Sequence, residues 1–215
     1  MVAEGAGIAV HGVGLVERVI AEVRRDPGAS ALSYRDVPWV DGGVARPMDA
    51  EVLAAAVFPS GRPLPPSVRT WLAYDASLFE RHEWFDDDGD FAPRALDELV
   101  ADELGDMWGE LFEPVAARLG ECFLLPGGSD SRRILAVTEP DQEGEYPVLA
   151  VDVDDLPFVG LMYPGFDVYL GNTAGLVAHE FETYTGMMDD PVYARRMHRH
   201  AARTFGGESC FEYPF

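Results

Sequence analysis

Three groups of residues in this chain have types and spacings that could support chemistry. His179 and Glu180 open like a zinc-protease helix, in which two histidines four residues apart bind the metal and the glutamate acts as base. Thr183 stands where the second histidine is required. His198 and His200 are two residues apart and cannot share a helix face. A composite site from His179, Glu182 and His198 would need the tertiary fold to assemble it, so no metal and no cofactor is assigned. The acidic run Asp86-Asp87-Asp88-Gly89-Asp90 invites comparison with a calcium loop, which needs alternating oxygen ligands, glycine at the sixth position and glutamate at the twelfth. Placing Gly89 sixth puts Trp84 first, and an indole cannot ligate calcium. A solvated turn that can serve as an acidic contact patch is the better reading. Asp152, Asp154 and Asp155 form a second acidic group, with Asp152 and Asp154 on the same side of a strand by alternation.

The remaining motifs are weaker. Arg195, Arg196, His198, Arg199, His200 and Arg203 make the one basic run in an acidic chain. Such a run can contact phosphate, but packing against the chain's own acidic groups, or a place at a helix C-terminus, is favoured. Ser129-Asp130-Ser131 reads as a loop beside glycines, and neither a G-x-S-x-G elbow nor a Cys/His signature occurs. Gly5-Ala6-Gly7 and Gly12-Val13-Gly14 lack the third glycine and the preceding strand of a dinucleotide fingerprint. No catalytic residue is assigned, and the chain is not expected to be an enzyme.

Composition narrows the partners. The 215 residues are 47% hydrophobic and 11% aromatic, enough to build a core. Sixteen basic against 38 acidic residues give a net charge of −22, a surface that repels nucleic-acid phosphates and anionic lipid heads. Simple solubility or adaptation to salt explains this charge as readily as a basic partner does. Cys122 and Cys210 make no disulfide framework, and the first ten residues lack a basic n-region. No stretch approaches the roughly 18 apolar residues of a membrane span. The expectation is a soluble cytoplasmic protein.

The elements that would position these residues follow from periodicity. Apolar runs at 148–153, 158–163 and 166–170 are separated by Asp154-Asp155-Leu156-Pro157 and by Pro164-Gly165, which predicts an antiparallel meander at the centre of the core. Helices or a second sheet should cover its first strand, where little polar surface remains. Residues 122–125 and 134–137 add two strands, making about five. Helices are predicted over 8–25, over 49–57 with Asp49 as cap, and from Pro65-Pro66 onward. The longest helical pattern covers 95–119, divided at Pro114, and two more helices cover 175–184 and 191–204. Helices, then sheet, then helices make the class α+β. The whole of 1–215 is read as one domain, with a helical N-terminal extension over 1–60 and a core region over 61–215.

Leu64-Pro65-Pro66-Ser67-Val68-Arg69-Thr70-Trp71-Leu72 resembles the opening leucine-proline and aromatic-leucine helix of the SUKH superfamily. Pro157-Phe158-Val159-Gly160 and Tyr163-Pro164-Gly165-Phe166 look like parts of the central sheet of that group. Ala73-Tyr74-Asp75-Ala76-Ser77 stands where the group carries an asparagine-glycine pair. The superfamily includes fungal cell-wall-synthesis regulators and bacterial immunity proteins. The resemblance implies a protein-binding domain without a catalytic centre, an immunity protein that covers a basic toxin such as a nuclease. Charge would steer that encounter. The expected contacts are exposed Trp84 and Phe85 as apolar anchors, beside Asp86, Asp87, Asp88 and Asp90, with Asp152, Asp154 and Asp155 as a second acidic group. The competing readings are a metal-dependent hydrolase built on His179 and Glu180, and a regulatory or scaffold protein with no toxin partner.

Overall fold

Strands β1 (Cys122–Leu125), β2 (Ser131–Ala136), β3 (Val148–Asp152), β4 (Phe158–Tyr163) and β5 (Cys210–Glu212) pair in chain order as one antiparallel sheet. The computed structural model describes residues 10–27, 44–126, 131–153 and 156–215. Ile134 opposes Leu149, and Val151 opposes Val159, so the apolar runs of the three middle strands lie side by side. Every residue of β1, and all but the last of β3, is buried. That pattern requires cover on both faces.

Helices supply the cover, and the class is α+β as expected. Among the described residues they are α1 (Gly12–Arg25), α2 (Ala50–Ala55), α3 (Pro66–Leu72), α4 (Ser77–Glu80), α5 (Leu96–Leu104), α6 (Asp106–Ala116), α7 (Phe166–Thr173) and α8 (Ala194–Thr204). Leu15, Val16, Val19 and Val23 of α1 are fully buried and belong to the same core as the sheet. Helix α1 packs on α3 and α7. The close approach to α7 depends on Gly171, where an added Cβ would lie 2.9 Å from Leu15 Cδ2.

Three expectations are corrected. Residues 166–170 are not the third strand of the meander; they form most of α7. Phe166 through Gly171 are all buried, and a helix buried on every side shows no amphipathic period to distinguish it from a strand. The expected helix over 175–184 is absent. Gly175 instead ends α7 at φ +76°, with Leu176 N donating to Gly171 O and Gly175 N to Asn172 O. These bonds satisfy the last carbonyls of the helix, and the chain leaves in a new direction. The long pattern over 95–119 breaks at Gly105, with φ +100°, and Pro114 lies inside α6. The two halves fold back on each other, with Gly109 so close to Ala101 that an added Cβ would lie 2.7 Å from the alanine methyl.

Candidate functional site

The acidic run closes a tight hairpin. Phe85 and Phe91 bridge antiparallel with their rings 5.1 Å apart, and Asp86 N donates to Asp90 O across the turn. Asp86 Oδ1 accepts from Asp88 N at 3.0 Å and from Asp90 N at 2.9 Å, so this carboxylate holds its own turn. Gly89 takes φ +87°, which a side-chain-bearing residue rarely adopts. Residues 86–90 are all exposed, and Asp87, Asp88 and Asp90 are the carboxylates this geometry leaves to face outward.

Beside the turn runs an apolar groove of about 690 Å³, lined by Met48, Val52, Val57, Phe91 and Pro93, with Asp90 in its wall. One side is α2, and none of its residues is buried. Val52 is 53% exposed and Val57 50%. So short a helix gains little from its own propagation, and both of its ends are tied. Asp49 accepts from Glu51 N and Val52 N, the cap predicted from the sequence. Arg69 donates to Leu53 O and Ala56 O, each at 2.6 Å, and occupies carbonyls at the C-terminal end. Local hydrogen bonds therefore fix α2, with Leu53 packed partly on the core while Val52 remains uncovered.

The expected contact residues divide. Trp84 is corrected: it is fully buried, stacks on Phe79 at 3.9 Å, and donates from Nε1 to Leu124 O at 2.6 Å. The indole finds a carbonyl acceptor in β1, which makes complete burial tolerable for its one polar atom. Phe85 is half-buried at the base of the turn. Asp152 is half-buried at the end of β3, opposite Ser131 and Phe158, and does not line the groove. Asp154 and Asp155 lie outside the described residues, as do Gly127 to Asp130 in the glycine-flanked loop.

His179, Glu182 and His198 do not come together. His179 Nδ1 sits 3.2 Å from Asp190 Oδ2, Glu182 lines a separate cavity with Tyr163 and Phe181, and His198 is exposed on α8. Among the described residues no group of three or more His, Cys, Asp or Glu is placed to hold a metal ion.

The basic run is split by the helix period. Arg195, His198 and Arg199 are exposed, whereas Arg196 and His200 are buried. Arg196 Nε donates to Asp141 at 2.5 Å, Nη1 to Asp167 Oδ2 at 2.7 Å and Nη2 to Asp167 Oδ1 at 3.0 Å. Asp167 also accepts from Gly12 N at 2.6 Å, so one network joins α1, α7, α8 and the loop before β3. Burial opposes charge on Asp141, but the neighbouring His200 ring, its Nε2 3.7 Å away, then the charge and hydrogen bond of Arg196, outweigh it and lower its carboxyl to about 2. Glu145 lies in the same network, and Ser67 donates to it through both N and Oγ. Burial, then the neighbouring Asp167 charge, raises its carboxyl to about 8. This enclosed cluster locks elements together; no substrate can reach it.

The groove was not foreseen in the sequence, where 49–57 was read only as a short helix capped by Asp49. No protein-family model matches the chain, and no curated protein matches it. It is similar to a solved crystal structure of an uncharacterized protein from Salmonella enterica subsp. enterica serovar typhimurium str. 14028s. The two share 19% identity at a TM-score of 0.56, over 91% of this chain and 94% of that chain. At that identity the likeness concerns the fold alone. No helix among the described residues is long and apolar enough to cross a membrane.

Proposed function

We propose that this chain is a protein-binding domain of the SUKH type, an immunity protein acting in the cytoplasm by covering a basic toxin. The observation that carries the reading is the contiguity of an uncovered apolar groove with an outward-facing acidic turn. Val52, Val57 and Met48 offer the apolar centre of an interface, and Asp87, Asp88 and Asp90 its charged edge. Anchors in such an interface carry most of the affinity, while edge charges govern the rate of encounter. The partner's matching surface would then be an apolar projection ringed by Lys or Arg. A nuclease presents basic residues where it holds phosphate, and a net charge of −22 opposes that surface well.

The test uses the tagged chain on its own cells, washed at low and then high salt, beside two variants. One reverses Asp87, Asp88 and Asp90 to Lys; the other is Val52→Asp. A near-stoichiometric basic polypeptide should be held by the parent and lost from Val52→Asp. The charge reversal should slow its association about tenfold or more at low salt. A partner bound equally well by all three proteins would show that the interface lies elsewhere.

A further inference from the structure

A second cavity has the opposite electrostatic character. Every one of the 16 basic residues in the chain is an arginine. Three of them, Arg62, Arg118 and Arg203, line one cavity of about 560 Å³ with Glu121 and Glu139 as its acidic members. Three cations against two anions leave a local excess of one positive charge on a chain whose net charge is −22. Remote carboxylates are screened beyond a Debye length of about 8 Å at physiological ionic strength, so the nearby arginines dominate the field inside.

These arginines come from separate parts of the chain. Arg62 belongs to the hairpin after α2, Arg118 follows α6, and Arg203 is in the last turn of α8. Neutral groups orient two of them. Arg203 Nη1 donates to Pro140 O at 2.6 Å, and Arg118 lies over the Phe211 ring, 4.8 Å from its centroid. Neither makes an ion pair within contact distance among the described residues, although Glu139 is near enough to Arg203 to feel its charge. A carbonyl or an aromatic face positions a guanidinium without cancelling its charge, and the remaining N–H donors stay available. Arg62 is different: it donates to Thr138 O and pairs with Glu139 at 2.7 Å. Glu121 is also engaged, accepting from Ser60 N and Ser60 Oγ. Thr138 and Thr204 line the cavity with their hydroxyls 3.5 Å apart, which adds neutral donors.

We propose that this cavity binds a phosphate group, free or carried on a small organic molecule, with Arg118 and Arg203 as the charged contacts and Thr138 and Thr204 as further donors. Planar guanidinium forks match the oxygens of phosphate, and charge-assisted bonds of this kind are about twice as strong as neutral ones. The site is independent of the apolar groove.

Isothermal titration of the full chain with inorganic phosphate, and separately with AMP, tests the proposal. Saturable binding is expected, weakened about tenfold by Arg118→Gln and by Arg203→Gln and retained in part by Arg118→Lys. Tighter binding of AMP identifies an organic phosphate as the ligand; equal binding identifies the free ion. Both arginines are exposed, so the variants should fold, with circular dichroism and melting temperature matched to the parent. Absence of saturable binding of both probes, or affinity unchanged in both Gln variants, overturns the proposal.

Discussion

Replacing Arg196 by methionine keeps an unbranched apolar stem and removes the charge from the centre of the buried network. The parent guanidinium is 2% exposed and its two carboxylate partners are 0% exposed, so water cannot replace it without opening the structure. The variant strands two carboxylates. Asp167 retains the hydrogen bond from Gly12 N, and Asp141 retains those from Glu143 N and Glu145 N, which limits the loss. Breaking a buried pair in this way costs about 3–5 kcal/mol, against a total of about 5–15 kcal/mol for a typical domain. With a urea dependence of about 2–3 kcal/mol per molar, the midpoint should fall by about 1.5 M at pH 7. The pH dependence at acid pH should also weaken. In the parent, Asp141 has its carboxyl lowered from 3.8 to about 2, so its contribution is present above 3.8 and lost as pH falls through about 2. Without Arg196 two of the influences that lower the Asp141 carboxyl are lost while those of His200 and the Glu145 N–H remain, so its contribution to the pH dependence shrinks. The triple variant Arg196→Met, Asp141→Asn, Asp167→Asn should recover much of the loss, because it leaves no unpaired charge. A single variant within about 1 kcal/mol of the parent at pH 7 would refute the reasoning.

Three further perturbations examine neighbouring features. Glu145 has its carboxyl raised from 4.5 to about 8, chiefly by burial, so its stabilising effect is complete below 4.5 and lost as pH rises through about 8. Urea titrations should therefore find Glu145→Gln progressively less destabilised relative to the parent across that window, and a gap that widens with pH would contradict it. Gly165→Ala should cost about 1–3 kcal/mol by thermal denaturation through overpacking. The new methyl would lie 2.6 Å from Asp167 Oδ1 and 2.8 Å from Arg196 Nη2, while the φ of 177° is open to any residue. Trp84→Ala should cost about 3–5 kcal/mol in the same assay, since it empties a buried site and removes the donor to Leu124 O; a loss below about 1 kcal/mol would mean that the indole is not core.

The groove and the buried network divide the work of the fold. Residues far apart in the chain are clamped by Arg196, and Glu145 joins the N-terminus of α3 to the loop that precedes β3. Helix α2 is fixed instead by its own cap and by Arg69, with Leu53 only partly buried against the core. A surface held by local hydrogen bonds can keep apolar side chains available without loosening the core.

Much of the architecture was determined by the sequence alone. The runs at 122–125, 148–152 and 158–163 are strands because contiguous Val, Leu and aromatic residues bounded by Pro, Gly and Asp favour a buried sheet. Asp49 before α2 and Pro66 at the first turn of α3 act through neighbours within four residues, and such signals are readable from the chain. Tertiary structure decided the rest. The helical state of 166–173 depends on burial on every side, which erases the amphipathic period. Trp84 is a core residue because β1, some 40 positions later, supplies its acceptor. Packing of the basic run against the chain's own acidic groups was legible in the sequence, but only the fold decided that Arg196 is a member enclosed by carboxylates 29 and 55 positions away. Local propensity is written in adjacent residues. Burial and charge pairing depend on which distant residues the folded chain brings together, and that sets both the locked network and the open groove.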